Sequence, residues 1–580
     1  MRNLLLPVIA CPLIACTLTS AAQPSAAPNA QELGQMTQRF APIEMKVDVS
    51  GLSAGDQQAL VKLVQAARIV NHLFMQQFWS GDLALYQELQ KDKTPLGQAR
   101  LHYFWINKGP WSEIDGHTAF LPGVPQKKPA GANFYPEDMT REEFESWAKT
   151  LSSGEKEQAE GFFTVLRRDA NHKLKLVPYS QEYKSDLDRA ATLLREAAAL
   201  TGNATLKKFL TTRAAAFSSN DYYESDVAWM DLDAPVDVTI GPYETYNDEI
   251  FGYKAAFEAY VNVRDEKESA RLQFLGRNLQ QIEDNLPEDP QYRVAKLGAL
   301  APIRVVNEVY AAGDGNHGVQ TAAYNLPNDD KVVQLKGSKR VMLKNIQEAK
   351  FKATLLPISR VVLSPAAQKD LSFDLFFTHI VAHELTHGLG PHRIQISGRE
   401  SNPRLELKDL YSAIEEAKAD VTGLFALQFL MTQADSGKIQ APLAHGPDAE
   451  RQLYTTYLAS SFRTLRFGLQ DAHARGMAIQ FNYFLDQGAY IANADGTFSV
   501  DLSKIKDAVR SLDHEFLTLE ATGNYAGAKK MIEQMSVVRP EVQKALDRLK
   551  QVPTDIEPIF VTADLLTHER SPGAGSAVEK

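Results

Sequence analysis

The sequence predicts a mostly α-helical protein with a smaller β element. Helical hydrophobic periodicity runs through the first third, β-branched or alternating stretches are confined to the middle, and helical periodicity returns in the last third. At 580 residues, 44% hydrophobic and 23% charged, the chain has apolar side chains for more than one core. Two to four domains, or one large bilobal body, are therefore expected. A formal net charge of -10, with 62 basic against 72 acidic residues and no long Lys/Arg run, offers no electrostatic footprint for nucleic acid.

The first 22 residues read as an export signal: Arg2 supplies a positive start, Leu4 to Ala15 form a short apolar run, and small residues follow. Two processing sites compete. Leu13-Ile14-Ala15-Cys16 resembles a lipoprotein box, which would leave a signal over 1–15 and a lipid anchor at Cys16, whereas Ser20-Ala21-Ala22 before Gln23 suits an ordinary signal peptidase. Either way an exported protein is expected, periplasmic or lipid-anchored to a bacterial cell envelope. Both cysteines, Cys11 and Cys16, lie in this segment, so no cysteine is expected as a metal ligand or nucleophile and His, Asp and Glu must carry any metal chemistry.

Residues 23–35, opening on an Ala/Pro/Ser-rich stretch, read as a tether, and Ser571 to Lys580 as a loose tail. Ser53 is a helix N-cap ahead of Leu60, Leu63, Ala67, Val70 and Phe74, and further helices are expected over Glu142 to Lys149 and Tyr183 to Thr201. In the middle, Val236 to Ile240, Val332 to Leu335 and Arg340 to Leu343 read as strands, the last two joined as a hairpin through Lys336-Gly337-Ser338-Lys339. Helices are expected again from Leu371 to about Leu430 and from Ser503 to Lys550. The mature chain shows no internal repeat and no transmembrane run.

The chemistry is concentrated in His383-Glu384-Leu385-Thr386-His387. Histidines four apart project from one face of a helix, so His383 and His387 can share one zinc ion, with Glu384 beside them as general base toward a water. Gly388, Gly390 and Pro391 should end that helix. Downstream, Glu415, Glu416 and Asp420 sit in an apolar helical pattern, where buried carboxylates need partners. Glu416 and Asp420 share a helix face, so one would bind the metal while the other accepts a hydrogen bond from a ligand imidazole. His392 is a rival third ligand, one residue early for a three-histidine pattern, and His379 is expected to pack rather than ligate.

These motifs resemble the dipeptidyl peptidase III family of zinc peptidases, in the variant with a pentapeptide in place of the hexapeptide. In that family a second motif, standing here as Glu415-Glu416-Ala417-Lys418-Ala419-Asp420, supplies the third ligand; the resemblance implies Glu416 as ligand, with Glu415 and Asp420 behind the metal. Ala417 and Lys418 depart from the family's Cys and Arg. Gly241-Pro242-Tyr243-Glu244-Thr245-Tyr246 resembles a segment whose tyrosine, implied here as Tyr246, stabilises the tetrahedral intermediate. Asn325-Leu326-Pro327-Asn328 resembles a paired-asparagine segment that holds the substrate backbone, and Asp471-Ala472-His473-Ala474-Arg475 one whose histidine, His473, contacts substrate. Glu244 is the candidate anion for a free peptide N-terminus.

The resemblance further implies two lobes across a wide cleft. Residues 36–264 and 305–350 would form a helical and β-containing substrate lobe, residues 265–304 and 351–550 the helical zinc lobe, and 551–580 a C-terminal segment and tail. The expected activity is zinc-dependent peptide hydrolysis, one Zn2+ per chain, releasing dipeptides from the N-terminus of oligopeptides. A zinc endopeptidase or tripeptide-releasing enzyme is the nearest alternative, and an exported, non-catalytic peptide-binding protein the alternative of another class. The sequence sets neither the oligomeric state nor the preferred side chains.

Overall fold

The computed structural model describes residues 27–297 and 303–569. The export signal, Cys11, Cys16 and the Ser571–Lys580 tail lie outside them. The helices that matter below are α1 (Ala30–Thr37), α2 (Ala54–Phe78), α3 (Asp330–Lys336), α4 (Phe373–Thr386), α5 (Tyr411–Asp435), α6 (Pro447–Leu465), α7 (Ala472–Asp486) and α8 (Val561–Thr567). The strands are β1 (Phe40–Glu44), β2 (Val236–Pro242), β3 (Phe257–Arg264), β4 (Ile303–Gly313), β5 (Ala323–Leu326), β6 (Lys339–Leu343) and β7 (Asp555–Ile559). Helix predominates, as the periodicity predicts. Among the described residues, no helix is long and apolar enough to cross a membrane.

Two large apolar cores organise the chain. The first is built on α2, whose Leu60, Leu63, Ala67, Val70 and Phe74 are all buried and whose N-cap Ser53 accepts the Asp56 N–H at 3.1 Å. The second gathers the apolar faces of α4, α5, α6 and α7. Between them runs a five-stranded sheet of order β2-β3-β4-β6-β5, antiparallel except for the parallel pair β4–β6. Alternation along a strand divides its side chains between the cores: Val341 and Leu343 enter the first, Met342 the second.

Two expectations are corrected. Val332 to Leu335 is not a strand but the middle of α3, so the hairpin through Lys336–Lys339 does not form. The Asp329 carboxylate caps α3 by accepting the Lys331 and Val332 N–H groups, and only Val332 of the segment is buried, so local capping outweighs β propensity. β6 pairs instead with β5 and β4. Second, residues 30–35 of the expected tether belong to α1, which begins at an Asn29/Glu32 capping box and buries Leu33. Within the C-terminal segment, β7 pairs in parallel with β1, and α8 packs on α2. The long central strands β3 and β4 were also missed, because buried Glu258, Asn262 and Glu308 interrupt their apolar pattern.

The close packing of α4 on α5 positions the chemistry. It rests on Gly423: a Cβ there would stand 3.2 Å from the His383 backbone nitrogen and 3.4 Å from His379 Nε2. Gly423→Val should force the helices apart, at about 1–3 kcal/mol for overpacking. It is expected to lower both the thermal unfolding midpoint and metal retention under chelator challenge; a variant unchanged in both would show that this contact is not limiting.

Candidate metal centre

His383 and His387 project from the last turn of α4, and Gly388 and Gly390 follow its C-terminus; Gly390 adopts φ of 81°, a left-handed turn that suits glycine. Helix α5 lies alongside and presents Glu415, Glu416 and Asp420. His383 Nδ1 meets Asp420 Oδ1 at 2.9 Å, and His387 Nδ1 meets Glu415 Oε1 at 2.6 Å. A carboxylate only accepts, so each imidazole presents an N–H at Nδ1 to its carboxylate and turns Nε2 toward the other histidine; the neutral tautomer carries a lone pair on that Nε2. The two Nε2 atoms are 3.2 Å apart, and Glu416 Oε2 stands 3.3 Å from the first and 3.7 Å from the second.

In that tautomer three acceptors converge, and Glu416 Oε2 is a buried oxygen without a hydrogen-bond partner among the described residues. A cation is the missing partner. Tetrahedral zinc, with ligand bonds of about 2.0–2.1 Å, sets neighbouring ligand atoms roughly 3.3 Å apart, which these spacings match. His383, His387 and Glu416 therefore fit a metal. His473 also belongs to a group that could hold one: its Nε2 is 3.3 Å from Glu416 Oε2, and the candidate ligand atoms of His383, Glu416 and His473 lie within 4.8 Å of one another. The two groupings differ in support. His387 is oriented by its bond to Glu415, whereas His473, with Asp471 Oδ1 3.5 Å from its Nδ1, is more than half exposed to the cleft. His387 is thus the better-oriented candidate ligand, and His473 lines the cleft wall.

The surroundings hold these ligands in charge as well as position. Burial would raise the Asp420 carboxyl, but His383 outweighs it and draws it down to about 2. Glu415 is likewise lowered against burial by Lys418, and then by His387. Lys418, fully buried, places Nζ 3.0 Å from Glu415 Oε1 and donates to the Leu389 carbonyl, so the lysine that departs from the resembled motif still braces the His387 partner. His379 packs behind, its Nε2 3.0 Å from the Asp420 carbonyl oxygen. His392 contributes no atom to the ligand group; its surroundings include Lys418 and Glu415.

Glu384 lies at the boundary of two cavities. One, of about 640 Å³, is lined among others by Glu244, Tyr246, Asn325, Asn328, Glu384 and His473, which brings the remaining candidates to one wall system. Tyr243 packs in the core against Arg213, while Tyr246 is 81% exposed and faces the cavity. Gly241 permits that turn, since a Cβ there would fall 2.3 Å from an Arg213 nitrogen. Asn328 Nδ2 donates to the Tyr243 carbonyl at 2.9 Å, and Asn325 pairs in register with Arg340 of β6. Burial, then the neighbouring Asp314, pushes the Glu244 carboxyl up to about 7, and Glu244 in turn raises the Tyr246 hydroxyl. A hydrogen bond with Asp471 leads the influences that bring His473 up to about 8.

Sequence reasoning missed Arg340, Glu258 and Asp314. Arg340 Nε stands 3.6 Å from Glu384 Oε2, a charge brought by the sheet to the helix carrying Glu384. Glu258 and Asp314 line the same cavity as Glu244. They sit in strand or turn segments without a motif, and the signal that could have found them is charge within otherwise apolar β patterns.

Comparison with known proteins bears on this geometry. A family model described as Peptidase family M49 matches residues 141–394. Dipeptidyl-peptidase III from Corallococcus sp. strain EGB is similar at 53% identity and a TM-score of 0.78, over 93% of this chain and 99% of that one. DPP III from Caldithrix abyssi is similar at 44% identity and a TM-score of 0.87, over 92% and 100%. The chain belongs to peptidase family M49. Among curated relatives of this M49 chain, Nudix hydrolase 3 of Arabidopsis thaliana is 41% identical over 92% of the chain and 74% of its own length. Human dipeptidyl peptidase 3 is 24% identical over 53% and 47% respectively. The M49 chain is a metallopeptidase with the two-lobed, mostly helical fold of the dipeptidyl peptidase III family.

If the carboxylates behind the histidines orient the metal ligands of this M49 peptidase, Asp420→Asn should weaken metal binding about 10–100-fold. Chelator competition on the folded variant measures this, and unchanged affinity would remove Asp420 from the site.

Proposed function

We propose that this M49 metallopeptidase is zinc-dependent and releases dipeptides from the N-terminus of oligopeptides. The observation that carries the reading is the position of Glu384: it sits at the ligand cluster and also at the edge of a cavity whose other walls bear Glu244, Glu258 and Asp314. An exopeptidase needs an anion for the substrate ammonium on one side of the cut bond, and these carboxylates supply it. Zinc, held by His383, His387 and Glu416, would supply Lewis-acid chemistry for water and carbonyl alike.

The chain's own groups carry the remaining steps. Glu384 accepts the proton of the attacking water and returns it to the leaving amine, with Arg340 Nε 3.6 Å from its Oε2. The Tyr246 hydroxyl and His473 are the donors toward the developing oxyanion. Asn325 and Asn328 hold the extended peptide by its backbone, so that the carbonyl is presented in one register. Cleavage after the second residue is supported by the likeness to dipeptidyl peptidase III structures.

Export belongs to the same proposal and rests on the pattern of residues 2–22 alone. Intact-mass analysis of the mature protein tests it: acylation at Cys16 supports the lipid anchor, an unmodified start at Gln23 supports periplasmic release, and an uncleaved chain removes both.

Two measurements test the activity. Mass spectrometry of a decapeptide incubated with zinc-loaded protein should show stepwise loss of dipeptides, abolished in Glu384→Ala despite retained zinc; internal cuts would discard the exopeptidase register, and absence of cleavage by folded, zinc-loaded protein would favour a peptide-binding role. The pH profile gives the second. Glu244 must ionise to attract the ammonium, so kcat/KM should rise with pH through about 7 and fall again near the peptide amine's pKa of about 7.7–8.0. Glu244→Gln should flatten the acidic limb, and a limb that persists unchanged assigns it to another group.

A further inference from the structure

Two cavities meet at Glu384 and differ in charge. Ala323, Glu384 and His473 are the only described residues that line both. The larger is the acidic one. The smaller, of about 300 Å³, lies across this boundary and has one wall made by a stripe of α6, from Leu453 through Tyr457 and Ser460 to Arg463 and Thr464, residues spaced to share a helix face. A peptide whose ammonium is held among Glu244, Glu258 and Asp314, and whose bond is cut at Glu384, must run its leaving segment into this second cavity.

Arg463 is the only lysine or arginine among the described residues that line it. Its guanidinium forms no hydrogen bond or close ion pair with the described residues, and burial lowers its pKa, with only Asp555 acting in the other direction. That carboxylate is already engaged: Asp555 Oδ2 binds Lys350 Nζ at 3.0 Å and accepts the Gln320 N–H at 2.6 Å. Nearby Arg466 adds positive charge and spends its own donors on the Pro553, Leu549 and Val552 carbonyls. A partly buried guanidinium carries five donors in a planar fork suited to a carboxylate. Here it lines a cavity beside the proposed reacting groups and has no acceptor among the described residues.

We propose that Arg463 forms a carboxylate-binding subsite for the leaving segment of the substrate. The carboxylate is either an Asp or Glu side chain just after the cut bond or the free C-terminus of a short peptide. The cleft then bears negative charge where the peptide's ammonium goes and positive charge where its carboxylate goes, so the substrate's own charges orient it. The direction of the peptide rests on the dipeptide-releasing reading above.

The test uses full-length, zinc-loaded protein and four tetrapeptides: Ala-Ala-Glu-Ala and Ala-Ala-Gln-Ala, each as free acid and as C-terminal amide. Arg463→Met should lower kcat/KM about tenfold or more for carboxylate-bearing peptides, the scale of a lost charge-assisted hydrogen bond, and leave the Gln amide within about twofold. Loss that follows Glu assigns the side chain, and loss that follows the free acid assigns the terminus. Equal loss for all four, or loss for none, overturns the subsite. Arg463→Lys should recover part of the preference, which a folding defect would not do. Product masses report the register separately. Should the cut fall elsewhere, calorimetric titration of the same peptides into Glu384→Ala protein, with and without Arg463→Met, still reads Arg463, and affinities independent of it overturn the proposal.

Discussion

Everything at the centre of this peptidase depends on three candidate ligand atoms, two imidazole nitrogens and a carboxylate oxygen, being held within 3.7 Å of one another. Left alone, His383, His387 and Glu416 would separate or capture protons, since converging lone pairs repel and a buried unpaired carboxylate oxygen is costly. They are kept in place because Asp420 and Glu415 occupy the other imidazole nitrogens, and because α4 and α5 approach closely at Gly423. The helix packing is thus part of the ligand set's electrostatics. Lys418 extends the same logic inward: a buried cation steadies Glu415, which orients His387. A motif position that departs from the family's arginine keeps a positive charge where one is needed.

The second organising feature is the sheet between the two cores. Its strands draw side chains from both, and β6 carries Arg340 to within 3.6 Å of Glu384, while β5 sets Asn325 beside Arg340 in register. Glu384, the proposed base, therefore sits on a helix of one core and its charged neighbour on a strand shared with the other. The C-terminal strand β7 closes the arrangement by pairing with β1, far away in sequence, and its Asp555 reaches back to Lys350. Carboxylates gather in the cavity near Glu244, while Arg463 is the one lysine or arginine among the described residues lining the other cavity.

Legibility followed the range of the interactions. Ser53 and the apolar stripe of α2 were readable because cap and periodicity are local, and the candidate metal helix was readable because two histidines four residues apart share a face. The Val332–Leu335 segment misled because its β-branched pair argues for a strand while the deciding cap, Asp329, lies just before it. Leu33 was hidden inside a stretch whose composition suggested a tether. β3 and β4 were obscured by buried Glu258, Asn262 and Glu308, which look out of place in an apolar strand until the cavity and partners around them are known. Tyr246 and Tyr243 could not be told apart by type; packing sends one inward and leaves the other facing the cleft.

By itself the sequence determined the identity and spacing of His383, Glu384 and His387, the carboxylate-bearing helix that answers them, and the mostly helical class, since each follows from periodicities of a few residues. Tertiary structure alone decided which carboxylate meets which imidazole nitrogen, that Arg340 reaches Glu384, and that Arg463 lines a cavity without a close ion pair among the described residues. Those outcomes join residues tens to hundreds of positions apart, and only the packing of helices and sheet fixes such distances.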